Sequence, residues 1–314
     1  MNTHDFLPQA SLSTLQLRAR MLKSLRKFFD DRGFLEVETP LLSADTVVEQ
    51  HIDPIAVVLP SDPRQPTAGQ PMWLQSSPEF HMKRLLATGQ IDAIFQIAKA
   101  FRAAEQGALH NSEFTMVEWY RVGDDLQAGM DLLAELCIAL LATAQPERVP
   151  YAEAFGQHAG IDPFDDFGDT LPAERDERLN LILADQVEPQ LGQGRPSILY
   201  HYPASQAALA RTTTDEAGRQ VAERFELYID GVELANGYHE LLDADELRQR
   251  NKHNNALRAA DGRPTLPSDS RLLAAMEHGL PACTGAALGF DRLVMVACGR
   301  RNIDDVLTFP NAID

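Results

Sequence analysis

Residues 93–122 read AIFQIAKAFRAAEQGALHNSEFTMVEWYRV, and this stretch gives the clearest indication of how the chain folds. Its first part, AIFQIAKAFRA, predicts a strand, and the glycine-bearing AEQGALHN predicts a loop. The last part, SEFTMVEWYRV, alternates in polarity and is rich in aromatic and β-branched residues, so it predicts a second strand. Strands this close in sequence pair as an antiparallel hairpin, here with a long loop.

Further strands and helices are predicted on both sides of this hairpin. In residues 224–241, RFELYIDGVELANGYHEL, two strand patterns flank Asp230-Gly231, which is a strong turn signal. LSTLQLRARMLKSLRKFFDDRG has helical periodicity, with Ser13 as a possible cap and Gly33 as a stop, and CTGAALGFDRLVMVACG predicts a strand followed by a helix. Hairpins with helices grouped between them predict an α+β fold, an antiparallel β-sheet flanked by helices, and not a βαβ sheet.

Length and composition are those of a folded globular protein. We expect a single domain over residues 1–314, with a small helical insertion at about 145–196, where the sequence is acidic and interrupted by prolines. The 28 basic and 46 acidic residues give a formal net charge of −18, which disfavours extensive nucleic-acid binding. Three cysteines without a C-x-x-C pair, no signal sequence and no membrane span predict a cytoplasmic protein.

Several carboxylates are predicted to lie among apolar side chains. Glu118 shares a strand face with Tyr120, and an unpaired carboxylate there would be costly, so it needs either a cationic ligand or an internal Arg or Lys. Glu226, Glu233 and Glu240 recur at intervals of seven along the 224–241 hairpin. Together with an asparagine at 236 they suit Mg²⁺, although they equally suit a solvated rim.

Two arginines and two glycines stand where a phosphate could bind. Arg102 ends a predicted strand. An Arg at such an edge can bind a phosphate through two N–H groups, although it would ordinarily be a surface residue. Gly289 and Arg292 lie where a strand passes into a helix, a position that favours anions. The pattern with Gly285 is neither G-x-G-x-x-G nor a P-loop, and small residues at such a junction are often only tight packing.

In order, these segments resemble the three signature motifs of class II aminoacyl-tRNA synthetases. RGFLEVETPLL is similar to motif 1, FRAAEQGALHNSEFTMVEWY to motif 2 and GAALGFDR to motif 3, while SSPEFHMKRLL and ELANGYHEL resemble lysyl-tRNA synthetase. The resemblance covers nearly the whole chain. Because motif 1 begins almost at the start, we expect no anticodon-binding domain, and the chain resembles the elongation factor P–(R)-β-lysine ligase family.

This resemblance implies an ATP-dependent, two-step reaction with Mg²⁺. (R)-β-lysine would be activated as an adenylate and transferred to a lysine side chain of elongation factor P. Motif 1 implies a homodimer. A free-standing lysyl-adenylate-forming enzyme acting on tRNA or a small amine, and a non-catalytic regulatory paralogue of a synthetase, stay open as alternatives.

The resemblance also implies roles for individual residues. The expected catalytic residues are Arg102 and Arg292, which would hold the α-phosphate and the terminal phosphate. The other expected ATP contacts are Glu105, His110, Asn111, Glu233, Leu234 and Gly289. The expected lysine contacts are Ser77, Glu79, Glu118, Tyr120, Asn236, Tyr238, Glu240 and Ala287. The expected magnesium ligands are Glu226 and Glu233.

Two positions depart from the synthetase pattern. Ala104 stands where motif 2 usually has a glutamate, so Glu105 is the candidate contact for the adenine amino group. Ala287 stands where lysyl-tRNA synthetases have glycine. Its methyl group would crowd an α-amino group and tolerate an amino group on the β-carbon, although simple helix packing would explain it equally.

Overall fold

A computed structural model of the chain describes residues 7–165, 167–168 and 172–310. They group into two compact units. The first contains the described residues of Met1–Glu118, Asp243–Leu280 and Gly289–Asp314, and the second contains those of Trp119–Leu242 and Pro281–Leu288. The single domain over 1–314 stays a prediction. Within the described residues no helix is long and apolar enough to span a membrane.

Helices and strands alternate along the chain much as the sequence predicts. The α-helices are α1 (Leu12–Asp30), α2 (Glu79–Leu86), α3 (Leu126–Leu141), α4 (Tyr151–His158), α5 (Pro172–Ile182), α6 (Ala244–Ala260), α7 (Arg271–Gly279) and α8 (Phe290–Ala297). The strands are β1 (Leu35–Glu36), β2 (Leu42–Ser43), β3 (Ile55–Pro60), β4 (Gly69–Leu74), β5 (Ala93–Phe101), β6 (Glu113–Val122), β7 (Glu147–Pro150), β8 (Ser197–Pro203), β9 (Thr212–Thr214), β10 (Gln220–Ile229), β11 (Val232–His239) and β12 (Cys283–Gly289).

In the first unit, α1 packs against β5 through aromatic side chains. The ring of Phe29 stacks on that of Phe95 in β5, with centroids 4.6 Å apart. The cap is two residues earlier than the sequence suggested, because the Ser11 hydroxyl, and not that of Ser13, accepts the backbone N–H of Thr14 at 3.2 Å. The strand order is β1-β5-β6, and β2-β4-β3 form a separate small sheet. The pair β1–β5 is parallel, an exception to the predicted antiparallel pattern.

In the second unit the strand order is β6-β12-β11-β10-β8-β7, with β9 added beside β10. The predicted hairpin at Asp230-Gly231 is confirmed, and both residues have positive φ, of 50° and 77°. The segment at 145–196 is helical in α4 and α5, as predicted, but it also contributes β7, which pairs in parallel with β8. Buried aromatic side chains such as Tyr151, Phe155 and Tyr202 form a core around α4.

The two faces of the second unit's sheet differ in what covers them. On one face α3 approaches so closely that a Cβ added at Gly129 would lie 2.2 Å from the methyl group of Thr284. Phe225 fills the space above Gly237 on this face, where an added Cβ would lie 2.3 Å from its ring. The strand register places Asn236 opposite both Glu226 and Ala287, and side chains paired in register share a face. The face that α3 does not cover therefore carries three predicted site residues, Glu226, Asn236 and Ala287.

Candidate active site

In the first unit, three of the predicted lysine contacts form a chain of hydrogen bonds. The Ser77 hydroxyl donates to Oε2 of Glu118 at 2.7 Å and accepts the backbone N–H of Glu79 at 3.0 Å. Glu118 is 1% exposed. Because Ser77 precedes α2 and Glu118 lies on β6, this contact fixes the start of the helix against the strand. The structure thus brings Ser77, Glu79 and Glu118 together.

A lysine that the sequence analysis did not single out completes this group. Nζ of Lys83 donates to Oε1 of Glu79 at 2.5 Å, and Lys83 is only 2% exposed. The two residues stand one helical turn apart. Their i,i+4 spacing on a predicted helix could have indicated this ion pair from the sequence. The paired ammonium compensates the charge of Glu79.

The residues predicted to bind phosphate lie at the end of β5 and in the loop that follows. The Arg102 guanidinium lies 5.1 Å from the centroid of the Phe114 ring, and its Nη1 is 3.8 Å from Oε2 of Glu105. Its Nε is buried and has no hydrogen-bond partner among the described residues. Ala104, which lies between Arg102 and Glu105, has a φ of 60°. The position where motif 2 usually has a glutamate therefore has a left-handed backbone conformation here.

His110 and Arg292 are directly in contact. Nη2 of Arg292 lies 2.6 Å from Nε2 of His110, and Nε of Arg292 donates to the carbonyl of Leu109 at 3.2 Å. Desolvation of the imidazole, and then the positive charges of Arg292 and Arg102, lower the pKa of His110. Glu105 opposes this shift. The neutral ring accepts the guanidinium N–H, and this contact fixes the direction of Arg292.

The helix that carries Arg292 is anchored by a buried ion pair. Asp291 is 1% exposed and accepts Nη1 of Arg18 at 2.5 Å and the backbone N–H of Thr115 at 2.6 Å. Gly289 is the N-cap of α8, so Arg292 stands in its first turn as predicted. Asn111 in the preceding loop donates from Nδ2 to the carbonyl of Glu113 at 2.6 Å. The sequence analysis missed Arg18 and Asp291, which lie 273 positions apart.

In the second unit, Tyr120 and Glu240 lie against the backbone of β12. A Cβ added at Gly285 would lie 2.2 Å from Cε1 of Tyr120 and 2.7 Å from Oε1 of Glu240. The absence of a side chain at Gly285 therefore lets both groups approach the strand. Tyr238 pairs with Gly285 in register, and Asn236 pairs with Ala287, which is only half-buried. The structure brings these five predicted lysine contacts and their glycine onto one face.

Leu234 occupies an irregular position in β11. Leu227 of β10 pairs with Ala235, whereas the next residue, Tyr228, pairs with Glu233, so Leu234 is the extra residue of a bulge. Its side chain is buried. A ligand contact by Leu234 would therefore have to use its backbone.

Glu226 is the centre of a buried polar group that we call the Glu226 cluster, formed by Glu226, Arg224, Tyr202, Tyr228 and Asn236. Oε1 of Glu226 accepts Nε of Arg224 at 3.1 Å, Nη2 of Arg224, and Nδ2 of Asn236 at 2.9 Å. Oε2 accepts the hydroxyl of Tyr228 at 2.6 Å and that of Tyr202. Burial, and then the charge of Glu226, raise the pKa of both phenols, so both keep the protons they donate.

The role of Glu226 as a magnesium ligand stays a prediction. Both oxygens of Glu226 accept donors, including an arginine, so a bound ion would have to replace some of these contacts. Among the described residues no group of three or more His, Cys, Asp or Glu side chains could hold a metal ion. Glu233, the second predicted ligand, pairs with Tyr228 in register, and its role stays a prediction.

Comparison with known proteins identifies the family. Residues 2–313 match the family described as tRNA synthetases class II (D, K and N). A protein of Yersinia enterocolitica named elongation factor P–(R)-β-lysine ligase is 42% identical over 325 residues, which cover 98% of both chains. Proteins of the same name from Salmonella arizonae and Edwardsiella ictaluri are 42% and 43% identical over 98% and 96% of both chains.

Such a family implies ligase activity and the use of ATP. The large sheet flanked by helices confirms the predicted fold class. The chain belongs to the class II tRNA synthetase family and is similar over nearly its whole length to relatives named elongation factor P–(R)-β-lysine ligase.

Proposed function

We propose that this protein activates (R)-β-lysine with ATP and transfers it to a lysine side chain of elongation factor P. The observation that carries the proposal is the similarity at 42% identity over 98% of both chains to a relative of that name. The burial of two predicted lysine contacts, Glu118 and Glu240, supports it, because a carboxylate in an apolar environment suits an ammonium group of the substrate.

In the first step a carboxylate oxygen of (R)-β-lysine attacks the α-phosphorus of ATP, and pyrophosphate leaves. This step needs no nucleophile from the protein, so the side chains position the reactants and stabilise developing charge. We assign the α-phosphate to Arg102, whose buried Nε lacks a partner among the described residues, and the terminal phosphate to Arg292. When bound to the phosphates of ATP, Mg²⁺ would neutralise part of their charge.

In the second step the neutral amine of the acceptor lysine attacks the adenylate carbonyl. The new bond is an amide, AMP leaves with the bonding electrons, and the amine gives up a proton. We assign the side-chain ammonium of β-lysine to Glu118 and Glu240, in a slot shaped by Tyr120, Asn236 and Tyr238. The other amino group is assigned to Glu79, which shares its charge with Lys83.

The remaining assignments concern the nucleotide. We assign Glu105 to the adenine amino group, because it directly follows Ala104 and lies near Arg102. His110 would contact the nucleotide while it orients Arg292. Further ATP contacts are assigned to Asn111, Glu233, Leu234 and Gly289.

We also propose a homodimer in the cytoplasm. Exposed apolar side chains in the first unit, including Leu35, Leu41 and Leu59, support an interface near motif 1. All three cysteines of the chain are free, which suits a reducing compartment. Light scattering after size-exclusion chromatography tests the dimer, and a concentration-independent mass of one chain would contradict it.

The function is tested in two stages. Purified protein is incubated with ATP, Mg²⁺ and either (R)-β-lysine or α-lysine, and ATP–pyrophosphate exchange is measured. Elongation factor P or tRNA is then offered as the acceptor of labelled β-lysine. We expect exchange with β-lysine and label on elongation factor P. Label on tRNA alone would favour the free-standing synthetase, and no exchange with either isomer would favour a regulatory protein.

A further inference from the structure

A buried arginine of α6 in the first unit holds the segment 49–53, which lies between β2 and β3. Arg258 is only 1% exposed. Its Nη1 donates to the carbonyls of Glu49 at 2.9 Å and of Ile52 at 3.1 Å, and its Nη2 donates to Oδ1 of Asp53 at 2.7 Å. A charge buried to this degree is costly unless it is paired, and Asp53 supplies the carboxylate.

A second arginine binds the other oxygen of the same carboxylate. Arg263, just after α6, donates from Nη1 to Oδ2 of Asp53 at 3.0 Å and to the carbonyl of Gln50, also at 3.0 Å. Both carboxylate oxygens of Asp53 therefore accept an arginine N–H from a part of the chain more than 200 positions away. These charge-assisted contacts fix the segment 49–53 to the end of α6 and leave the backbone carbonyl of Asp53 for another contact.

The backbone carbonyl of Asp53 holds the chain next to a predicted ATP contact. It accepts the N–H of Ala103 at 2.7 Å, and Ala103 directly follows Arg102. The N–H of Arg102 itself donates to the carbonyl of Ser112 at 3.0 Å. The backbone then turns at Ala104, which has a φ of 60°. The direction in which the Arg102 side chain leaves the backbone is therefore set by hydrogen bonds at two successive residues.

The guanidinium of Arg102 depends on this backbone for its direction. Its Nε is buried and has no hydrogen-bond partner among the described residues, and its Nη1 lies 3.8 Å from Oε2 of Glu105, beyond hydrogen-bond distance. These contacts leave its N–H groups to a ligand. A long side chain without a short contact of its own is aimed by the residues that hold its backbone.

We propose that Asp53 is a positioning residue for ATP, because it fixes the backbone at Ala103 and thereby aims Arg102 at the α-phosphate. This inference rests on the proposed function, in which Arg102 binds that phosphate. The role requires no contact between Asp53 and the nucleotide. It differs from a role in stability alone in one measurable respect, because its effect on ATP passes through the side chain of Arg102.

The test is a double-mutant cycle between Asp53 and Arg102, measured as the dissociation constant of ATP. Calorimetry with ATP and Mg²⁺, without lysine, measures binding even in variants that no longer catalyse exchange. Asp53→Asn removes the charge that pairs with both arginines and keeps the backbone carbonyl. We expect Asp53→Asn and Arg102→Ala each to weaken ATP about tenfold, the effect of one charge-assisted hydrogen bond. The double variant should bind ATP within about twofold of Arg102→Ala.

Asp62→Asn is the matched control for the same chemical change. The side chain of Asp62 is 30% exposed, against 32% for Asp53, and it also pairs with an arginine, Arg64. This variant should change the affinity for ATP less than about twofold. Arg263→Gln keeps the test valid if Asp53→Asn fails to fold, because the buried Arg258 then keeps its carboxylate. It should weaken ATP about threefold, and this effect should vanish in the Arg102→Ala background.

The possible outcomes separate this inference from the proposed function. Binding of (R)-β-lysine without ATP should stay within about twofold in Asp53→Asn. Unchanged affinity for ATP, losses that multiply in the double variant, or equal weakening of ATP and (R)-β-lysine would each overturn the role of Asp53 and leave the proposed function intact. A wild-type protein that binds neither lysine isomer and catalyses no pyrophosphate exchange overturns the proposed function and this inference with it.

Discussion

Gly285→Ala tests whether Tyr120 and Glu240 form part of the lysine site. The added Cβ would lie 2.2 Å from Cε1 of Tyr120, whereas ordinary contacts begin at 3.4 Å, so the ring must retreat by about 1.2 Å. The same Cβ would lie 2.7 Å from Oε1 of Glu240. Strand β12 cannot yield easily, because β11 pairs with it along its length. The substitution therefore displaces both predicted lysine contacts with one methyl group.

Two magnitudes follow from this displacement. Overpacking a buried site costs about 1–3 kcal/mol of unfolding free energy. Misplacing a binding group by about 1 Å lowers the rate of an enzyme about 10²-fold. We therefore expect kcat/KM for (R)-β-lysine in ATP–pyrophosphate exchange to fall about 100-fold, while the KM for ATP changes little. Thermal unfolding should show a lower Tm but a folded protein at assay temperature.

Gly156→Ala provides a matched control for the same chemical change. Gly156 lies in α4, and no atom stands within 4 Å of a Cβ added there. Alanine favours helix over glycine by up to about 1 kcal/mol, so this variant should be slightly more stable and fully active. Activity of Gly285→Ala within about twofold of Gly156→Ala would refute the assignment of Tyr120 and Glu240 to the lysine site.

Ala287→Gly should improve α-lysine relative to (R)-β-lysine in pyrophosphate exchange, and an unchanged preference would contradict a steric role for the methyl group. Because folding lowers the pKa of His110, its contact with Arg292 is present above the ordinary histidine pKa of about 6.5 and is lost as the pH falls through the lowered value. Pyrophosphate-exchange activity should therefore decline at acidic pH, and His110→Asn should abolish this decline. Asp291→Asn leaves Arg18 without its carboxylate and should lower the unfolding free energy by about 3 kcal/mol in urea titration, whereas a loss below about 1 kcal/mol would show the pair to be structurally dispensable.

Local patterns predicted those parts of the fold in which neighbours in space are also neighbours in sequence. The hairpin β10–β11 follows from Asp230-Gly231, because both residues tolerate the positive φ that a tight turn requires. Strands β5 and β6 follow from their alternation and composition. The two parallel pairs, β1–β5 and β7–β8, were missed, because nothing in a two-residue or four-residue strand reveals a partner far along the chain.

The same limit applies to the candidate site. Sequence analysis could point to Glu118 and Glu226 as carboxylates in apolar surroundings, but it could not tell which cation or donor satisfies each one. Glu226 has Arg224 two residues away, on the same strand face, and that spacing was available from the sequence. The hydroxyl group of Tyr202, which completes the Glu226 cluster, comes from another strand, and only the register supplies it.

Three successive small residues on β12 illustrate why one motif needs several physical explanations. Gly285 has no side chain because Tyr120 and Glu240 occupy that space. Ala286 faces the other side of the sheet, where a Cβ on Gly237 would lie 2.9 Å from its methyl group, so packing limits its size. Ala287 differs from both, because it is half-buried and faces the side that carries Asn236. Packing beside Gly237 therefore limits the size of Ala286, whereas a contact with substrate stays our proposal for the methyl group of Ala287.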